Sequence, residues 1–365
     1  MLHGGTTCGP NGNEDCCTSL PIAGAGSVNL DKYNITAGRF RQFVTYLTDP
    51  ANGWNGNMRA WLNANKPADW PAYWADMLPT MLDNGQGWVG NGTLDTDFTG
   101  IYQELGPYGH RSDQSFIDSG DPYSGNGGCN IYGFGARTYR LPDNINARFG
   151  DMQQYSQDML DERSLNCTTA PMLAAFCAWD GGRLAKQSEL DTAWGPQTYP
   201  WGPGDDAHRP AGYCTEYDTD PGANGDGCFM NYAGTDGYGN PIENPTRPAP
   251  TGNFFANYNV NYWGGATLIS DPNPDRVTGP KWADYSIFVA PPGRFPLGNG
   301  PKGHADLGGN VITATYGSSG TIDDYKVPYV VWSRSGSWQG HPVGYGYERP
   351  ARYKYIAMGG RCIHF

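Results

Sequence analysis

The sequence predicts an α+β protein: one mixed domain with few regular elements and two large loop-rich stretches. Three observations carry this. A short alternating strand runs into an amphipathic helix near residue 36, and short strand-like runs return over 284–365. The 365 residues include 53 glycines and 29 prolines with no collagen-like period, which favours loops over long helices. No internal repeat or interdomain linker breaks the pattern.

In chain order, residues 1–26 are a Cys/Gly-rich N-terminal segment, expected as a loop stapled by cysteine, and 27–365 are the main domain. SVNLDKYNI (27–35) alternates as a strand does. In TAGRFRQFVTYL, Thr36 is a suitable N-cap, and Phe40, Phe43, Val44 and Leu47 fall at helical spacing. Residues 50–165 are rich in Gly, Asn, Asp, Trp and Tyr, with short helical pieces at MRAWLNAN and PAYWADMLPTML. A structureless loop that long does not suit a compact domain, so this stretch reads as an insertion with small elements of its own. Within it, 112–150 reads as surface loop. TTAPMLAAFCAWD (168–180) predicts a second helix, stopped by Gly181-Gly182. Residues 186–194 predict a third, short helix. TYPWG follows, and a second insertion covers roughly 203–280. The strand-like runs YSIFVA, KVPYVVWSRSGSW and GGRCIHF close the chain.

Composition excludes several classes. Net charge is −12 and no Lys/Arg cluster occurs, which argues against nucleic acid and anionic lipid as partners. Hydrophobic residues are 38% and charged residues 16%, unlike a disordered chain. No run approaches the roughly 18 apolar residues of a membrane span. Nine cysteines form no CxxC pair and six histidines no HxxxH pair, so no zinc site is expected. Dispersed cysteines in a loop-rich chain read as disulfides in an oxidising compartment, the alternative being reduced thiols in a cytosol. The odd count leaves one thiol free or paired with another chain. Cys214 and Cys228 enclose a short Gly/Asp-rich loop and read as a local pair. MLHGGTTCGP has neither the basic nor the apolar part of a signal peptide and reads as the mature start of an exported protein. Asn34-Ile-Thr, Asn91-Gly-Thr and Asn166-Cys-Thr are glycosylation sequons. The adjacent carboxylates Asp161-Glu162, Asp205-Asp206 and Asp323-Asp324 read as solvated turns rather than acid/base pairs.

Four segments in order carry a resemblance. They are LDKYNITAGRFRQFV (30–44), AAFCAWDGGRLAKQSELDTAW (174–194) with TYPWG (198–202), PPGRFPLGNGPKGHADLGGNV (291–311), and SGSWQGHPVGYGYERPARY…GGRCIHF at the end. Together they resemble the formylglycine-generating enzyme, or sulfatase-modifying factor, family, and they span about half the chain. The opening GPNGNEDCC is similar to that of secreted bacterial members. The resemblance implies a C-type lectin-like fold. It also implies a disulfide between Cys177 and Cys362, which would constrain the unfolded chain by about 4–5 kcal/mol. A structural calcium is implied near Asn310, with Asn231 and Asp284 as ligands of a second such site.

The departures decide the expected function. Enzymes of this family hold copper(I) on two cysteines lying between the GGS motif and the R..R motif, since soft thiolates select that ion. Here that interval, Trp338–Arg349, has no cysteine. The capping threonine of the family's RLPTEAEWE is Lys186, a loss of about 1 kcal/mol of local stability. Without those thiolates no copper is expected, and because the glutamate of GNVWEW is Thr313, calcium affinity should fall. The sugar-binding Glu-Pro-Asn or Gln-Pro-Asp triplet of calcium-dependent lectins is absent. The expectation is therefore a non-catalytic protein, secreted or at a bacterial cell surface. It would bind a protein or glycan partner, or assemble with itself. Its candidate contact surface is Trp338, His341, Tyr345, Tyr347, Arg349, Arg352 and Tyr353, whose aromatic types anchor interfaces. The two arginines fit internal hydrogen bonding equally well. A structural subunit of an extracellular fibre or surface layer is the alternative. A formylglycine-generating oxidase comes last.

Overall fold

The structure, a computed structural model, describes residues 5–22, 28–71, 74–85, 99–106, 137–149, 156–196, 232–235, 241–243, 289, 291–294, 296–316, 321–322, 327–331, 348–351, 354 and 358–365. For 232–235, 241–243, 321–322, 327–331 and 348–350 it describes the backbone alone.

In chain order the elements begin with β1 (Ser19–Pro21), β2 (Asn29–Asp31), α1 (Ala37–Thr48) and α2 (Met58–Asn65). Next come α3 (Ile101–Glu104), α4 (Asp143–Phe149), α5 (Gln157–Asp161), α6 (Ala170–Trp179), β3 (Gly182–Leu184) and α7 (Gln187–Trp194). The strands β4 (Tyr232–Thr235), β5 (Pro241–Glu243), β6 (Ile312–Thr313), β7 (Thr321–Ile322), β8 (Val327–Val331), β9 (Glu348–Pro350), β10 (Met358–Gly359) and β11 (Cys362–His364) follow. Mixed helix and strand content in short elements agrees with the α+β expectation.

The principal sheet has the order β1-β2-β11-β3, all antiparallel. Its register places Ile363 beside Leu30 on one side and Arg183 on the other. Residues more than three hundred positions apart thus share one sheet. Gly182 is required at the edge, because a Cβ there would lie 1.9 Å from the Ile363 carbonyl oxygen. The strand expected over 27–35 is regular only at its centre, yet Ile35 stays tied to the frame. Its N–H donates to Gly360 O at 2.9 Å, and its carbonyl accepts from Leu165 N at 2.7 Å.

Helix α1 forms as its sequence dictates. Thr36 Oγ1 accepts from Arg39 N at 3.2 Å, and Phe40, Phe43, Val44 and Leu47 are all buried. Their rings meet α6, which is apolar nearly all round and buried from Ala170 to Cys177. Such a helix belongs inside a core. Gly181, at φ 86°, ends it in the left-handed conformation, and Gly182 turns directly into β3.

The main core also takes Met58, Trp61, Leu62, Trp74, Ile101, Leu105, Tyr139 and Phe149 from the stretch read as an insertion. That stretch has small helices of its own, as expected, and its described parts are built into the core. The expectation of surface loop across 112–150 fails over 137–149. Arg137, Thr138, Tyr139, Leu141 and Ile145 are buried, and α4 packs there. The sequence hides this because buried arginine and threonine are satisfied by distant partners. Arg137 donates to Leu105 O at 2.8 Å, and Thr138 N donates to Asn166 Oδ1 at 2.8 Å.

Candidate functional site

The described residues concentrate their chemistry where the four resembling segments converge. Arg39 lies on the apolar face of α1 and is fully buried. Its guanidinium donates to Asp31 at 3.0 Å, to Asp180 at 2.5 Å and to the Cys16 carbonyl at 3.1 Å. His364 Nε2 lies 2.9 Å from Asp31 and 3.9 Å from Asp180. Burial pushes the Asp31 carboxyl up, but the Arg39 charge and the His364 contact outweigh it and hold it below its ordinary range. At Asp180 burial wins and the pKa rises. The hydrogen bond to Asp31 raises that of His364.

A second polar group joins the N-terminal segment to residues 291–306. Glu14 accepts from Lys32 Nζ at 2.6 Å and from Tyr33 Oη at 2.5 Å. Arg294 donates to the carbonyls of Thr7 and Gly9 at 3.0 and 2.5 Å. Arg361, fully buried, donates to the carbonyls of Lys32 at 2.8 Å and of Ala305. Asp306 accepts from Gly293 N at 2.6 Å, and burial raises its pKa. His304 is buried, and burial pulls its pKa down to about 4, so the ring is neutral. These charged groups each meet a partner within the molecule and tie segments together, while Asp180 Oδ1 and Asp306 Oδ1 are buried without a hydrogen-bond partner among the described residues.

Of the candidate contact surface, Trp338, His341, Tyr345, Tyr347, Arg352 and Tyr353 lie outside the described residues. Arg349 belongs to β9, where it pairs with Val330 of β8. The end of that stretch is anchored. Ala351 is buried in the main core. Lys354 Nζ, fully buried, donates to the carbonyls of Glu104 at 2.7 Å, Gly106 at 2.9 Å and Gln103 at 3.4 Å. Burial pulls the Lys354 pKa down to about 7.

The implied disulfide Cys177–Cys362 is present, and so is a second, Cys8–Cys16. Cys167 is also disulfide-bonded. Cys214 and Cys228 lie outside the described residues, as do Asn231 and Asp284. Asn310 is buried at φ 60° and donates from Nδ2 to Ser164 Oγ at 3.1 Å. No group of three or more His, Cys, Asp or Glu side chains suited to a metal ion occurs among the described residues. No described helix is long and apolar enough to cross a membrane.

Three expectations are corrected by burial. Asn34 and Asn166 are both 0% exposed, so neither sequon can carry a glycan in the folded chain, while Asn91 lies outside the described residues. Asp161 is not a solvated turn residue: both its oxygens accept from Arg41 Nε at 2.9 Å. Asp205, Asp206, Asp323 and Asp324 lie outside the described residues. Lys186 does head α7, and half of a capping box survives there. Glu189 accepts from the Lys186 N–H at 2.8 Å, but the ammonium of Lys186 has no lone pair to return the contact.

The buried ion network was missed in the sequence, although a signal existed: Arg39 interrupts the apolar stripe three residues after Thr36 and four before Phe43. No known protein-family model matches this sequence, and no curated protein matches it.

Proposed function

We propose that the chain is a non-catalytic, exported binding or assembly protein built on a formylglycine-generating-enzyme-like, C-type lectin-like frame. The observation that carries the reading is the convergence of the resembling segments. Asp31 and Leu30 from the first, Arg183 from the second and Cys362 from the last meet in one sheet, and a disulfide ties Cys362 to Cys177 of α6, also from the second. Segment 291–311 joins them through Asp306 and Ala305. The disulfides support an oxidising compartment.

The aromatic stretch 335–353 is the contact surface in this reading. It occupies the family's copper-binding interval with glycines, a histidine and tyrosines in place of thiolates. Its partner is a protein or glycan at the cell surface, or a second copy of the chain. Calcium keeps at most a structural role at Asn310, weakened by Thr313 in the carboxylate position.

The fibre or surface-layer reading ranks second. Among the described residues the free cysteine is Cys17, which is buried and so does not offer a link between subunits. Sedimentation velocity over a concentration series, on wild type and on a Trp338→Ala/Tyr345→Ser/Tyr347→Ser variant, tests the surface. Self-association lost in the variant supports a contact surface acting between copies, and a monomeric wild type directs the search to a separate partner. Association unchanged by the triple substitution would remove 335–353 from the account.

A further inference from the structure

Residues 5–17 are held to the frame in an unusual way. The Cys8–Cys16 disulfide spans eight positions, and both its cysteines are fully buried. The small apolar cluster beneath the segment consists of Cys8, Cys16, Tyr33 and Ala305, so the disulfide is itself half of the anchor. The other ties are polar: Gly9 N to Pro292 O at 2.9 Å, Arg294 to the Thr7 and Gly9 carbonyls, and Glu14 to Lys32 and Tyr33. The Glu14–Lys32 pair is partly exposed and worth little on its own. The main core draws no residue from this segment.

Beside the disulfide sits a free thiol. Cys17 is 3% exposed, and its N–H donates to Asp15 Oδ1 at 2.9 Å. Its neighbour Cys16 is fixed by the Arg39 guanidinium, which takes the Cys16 carbonyl at 3.1 Å. Burial pushes the Cys17 thiol up to about 12, which keeps it inert while the segment is docked.

We propose that residues 5–17 form a redox-gated strap, in which reduction of Cys8–Cys16 by a small dithiol undocks the segment and uncovers the thiol of Cys17. The step is a two-electron exchange. The dithiol loses two hydrogens and closes its own disulfide; the Cys8–Cys16 bond breaks, and each sulfur leaves as a thiol. The frame stays closed, because Cys177–Cys362 lies within the main core, which draws no residue from 5–17, whereas Cys8–Cys16 is reached once the small cluster of Cys8, Cys16, Tyr33 and Ala305 opens. The gate does not depend on the binding role proposed above.

The test is a dithiothreitol titration of the native protein with N-ethylmaleimide labelling and peptide mass mapping. Cys17 labelling should rise from undetectable to near-complete over the same reductant range that opens Cys8 and Cys16. Cys177–Cys362 and the far-UV circular dichroism should remain unchanged over that range. A Cys8→Ser/Cys16→Ser variant should label at Cys17 without reductant. If that variant does not fold, the wild-type titration decides alone. Cys17 staying blocked after Cys8 and Cys16 are labelled would overturn the proposal. So would Cys17 labelling only when Cys177 and Cys362 open.

Discussion

Arg39 shows how one residue can govern a frame. It pairs with Asp31 and Asp180 at once, with side chains no more than 1% exposed. Removing one partner of a buried ion network leaves uncompensated charge. Arg39→Met should therefore cost about 3–5 kcal/mol, read as a fall in the urea midpoint at constant m-value. His364 gives the same network a pH dependence. Its folded pKa is raised above the ordinary 6.5, so its contribution is complete below the unfolded value and is lost as pH rises through the folded one. Stability should decline as pH rises through that window in wild type, and His364→Gln should flatten the decline. A wild-type profile identical to the variant's would exclude His364 as the cause.

At the scale of elements, local sequence rules worked where the partners are local. Thr36, the stripe of α1 and the Gly181 stop could be read because each acts within a turn or two of the chain. The α7 start is the informative defect. Glu189 supplies its half of the capping box, and Lys186 places a cation at the positive end of the helix. Lys186→Thr should restore the missing half and raise stability by about 1 kcal/mol, measured by thermal or urea unfolding. No gain would mean that the Glu189 N–H, which already donates to the Lys186 carbonyl at 3.1 Å, gains nothing further from the hydroxyl. What could not be read is the burial of 137–149. Arg137 and Thr138 reach Leu105, Ser164 and Asn166, 26 to 32 positions away, and no local pattern encodes such contacts.

Across the whole molecule, the last strand is tied twice, to the N-terminal part by the β2–β11 pairing and to mid-chain α6 by Cys177–Cys362 at a sequence separation of 185. The resemblance made the disulfide legible in advance; spacing alone could not have selected it among nine cysteines. The Cys177→Ala/Cys362→Ala variant should lose about 5 kcal/mol through the loop-entropy term, with both alanines left in the core. An unchanged unfolding midpoint would show that the sheet alone holds the ends. The candidate contact surface was legible only as residue types in an interval, since aromatic side chains and glycines name no partner. The central proposal is that a formylglycine-generating-enzyme-like frame is present here without that family's copper chemistry. It is tested most directly by incubating the copper(I)-treated protein with a cysteine-containing sulfatase-type peptide in air and following the peptide by mass spectrometry. The account predicts that no cysteine is converted to formylglycine. Catalytic appearance of the formylglycine peptide, dependent on the protein and on copper, would contradict it.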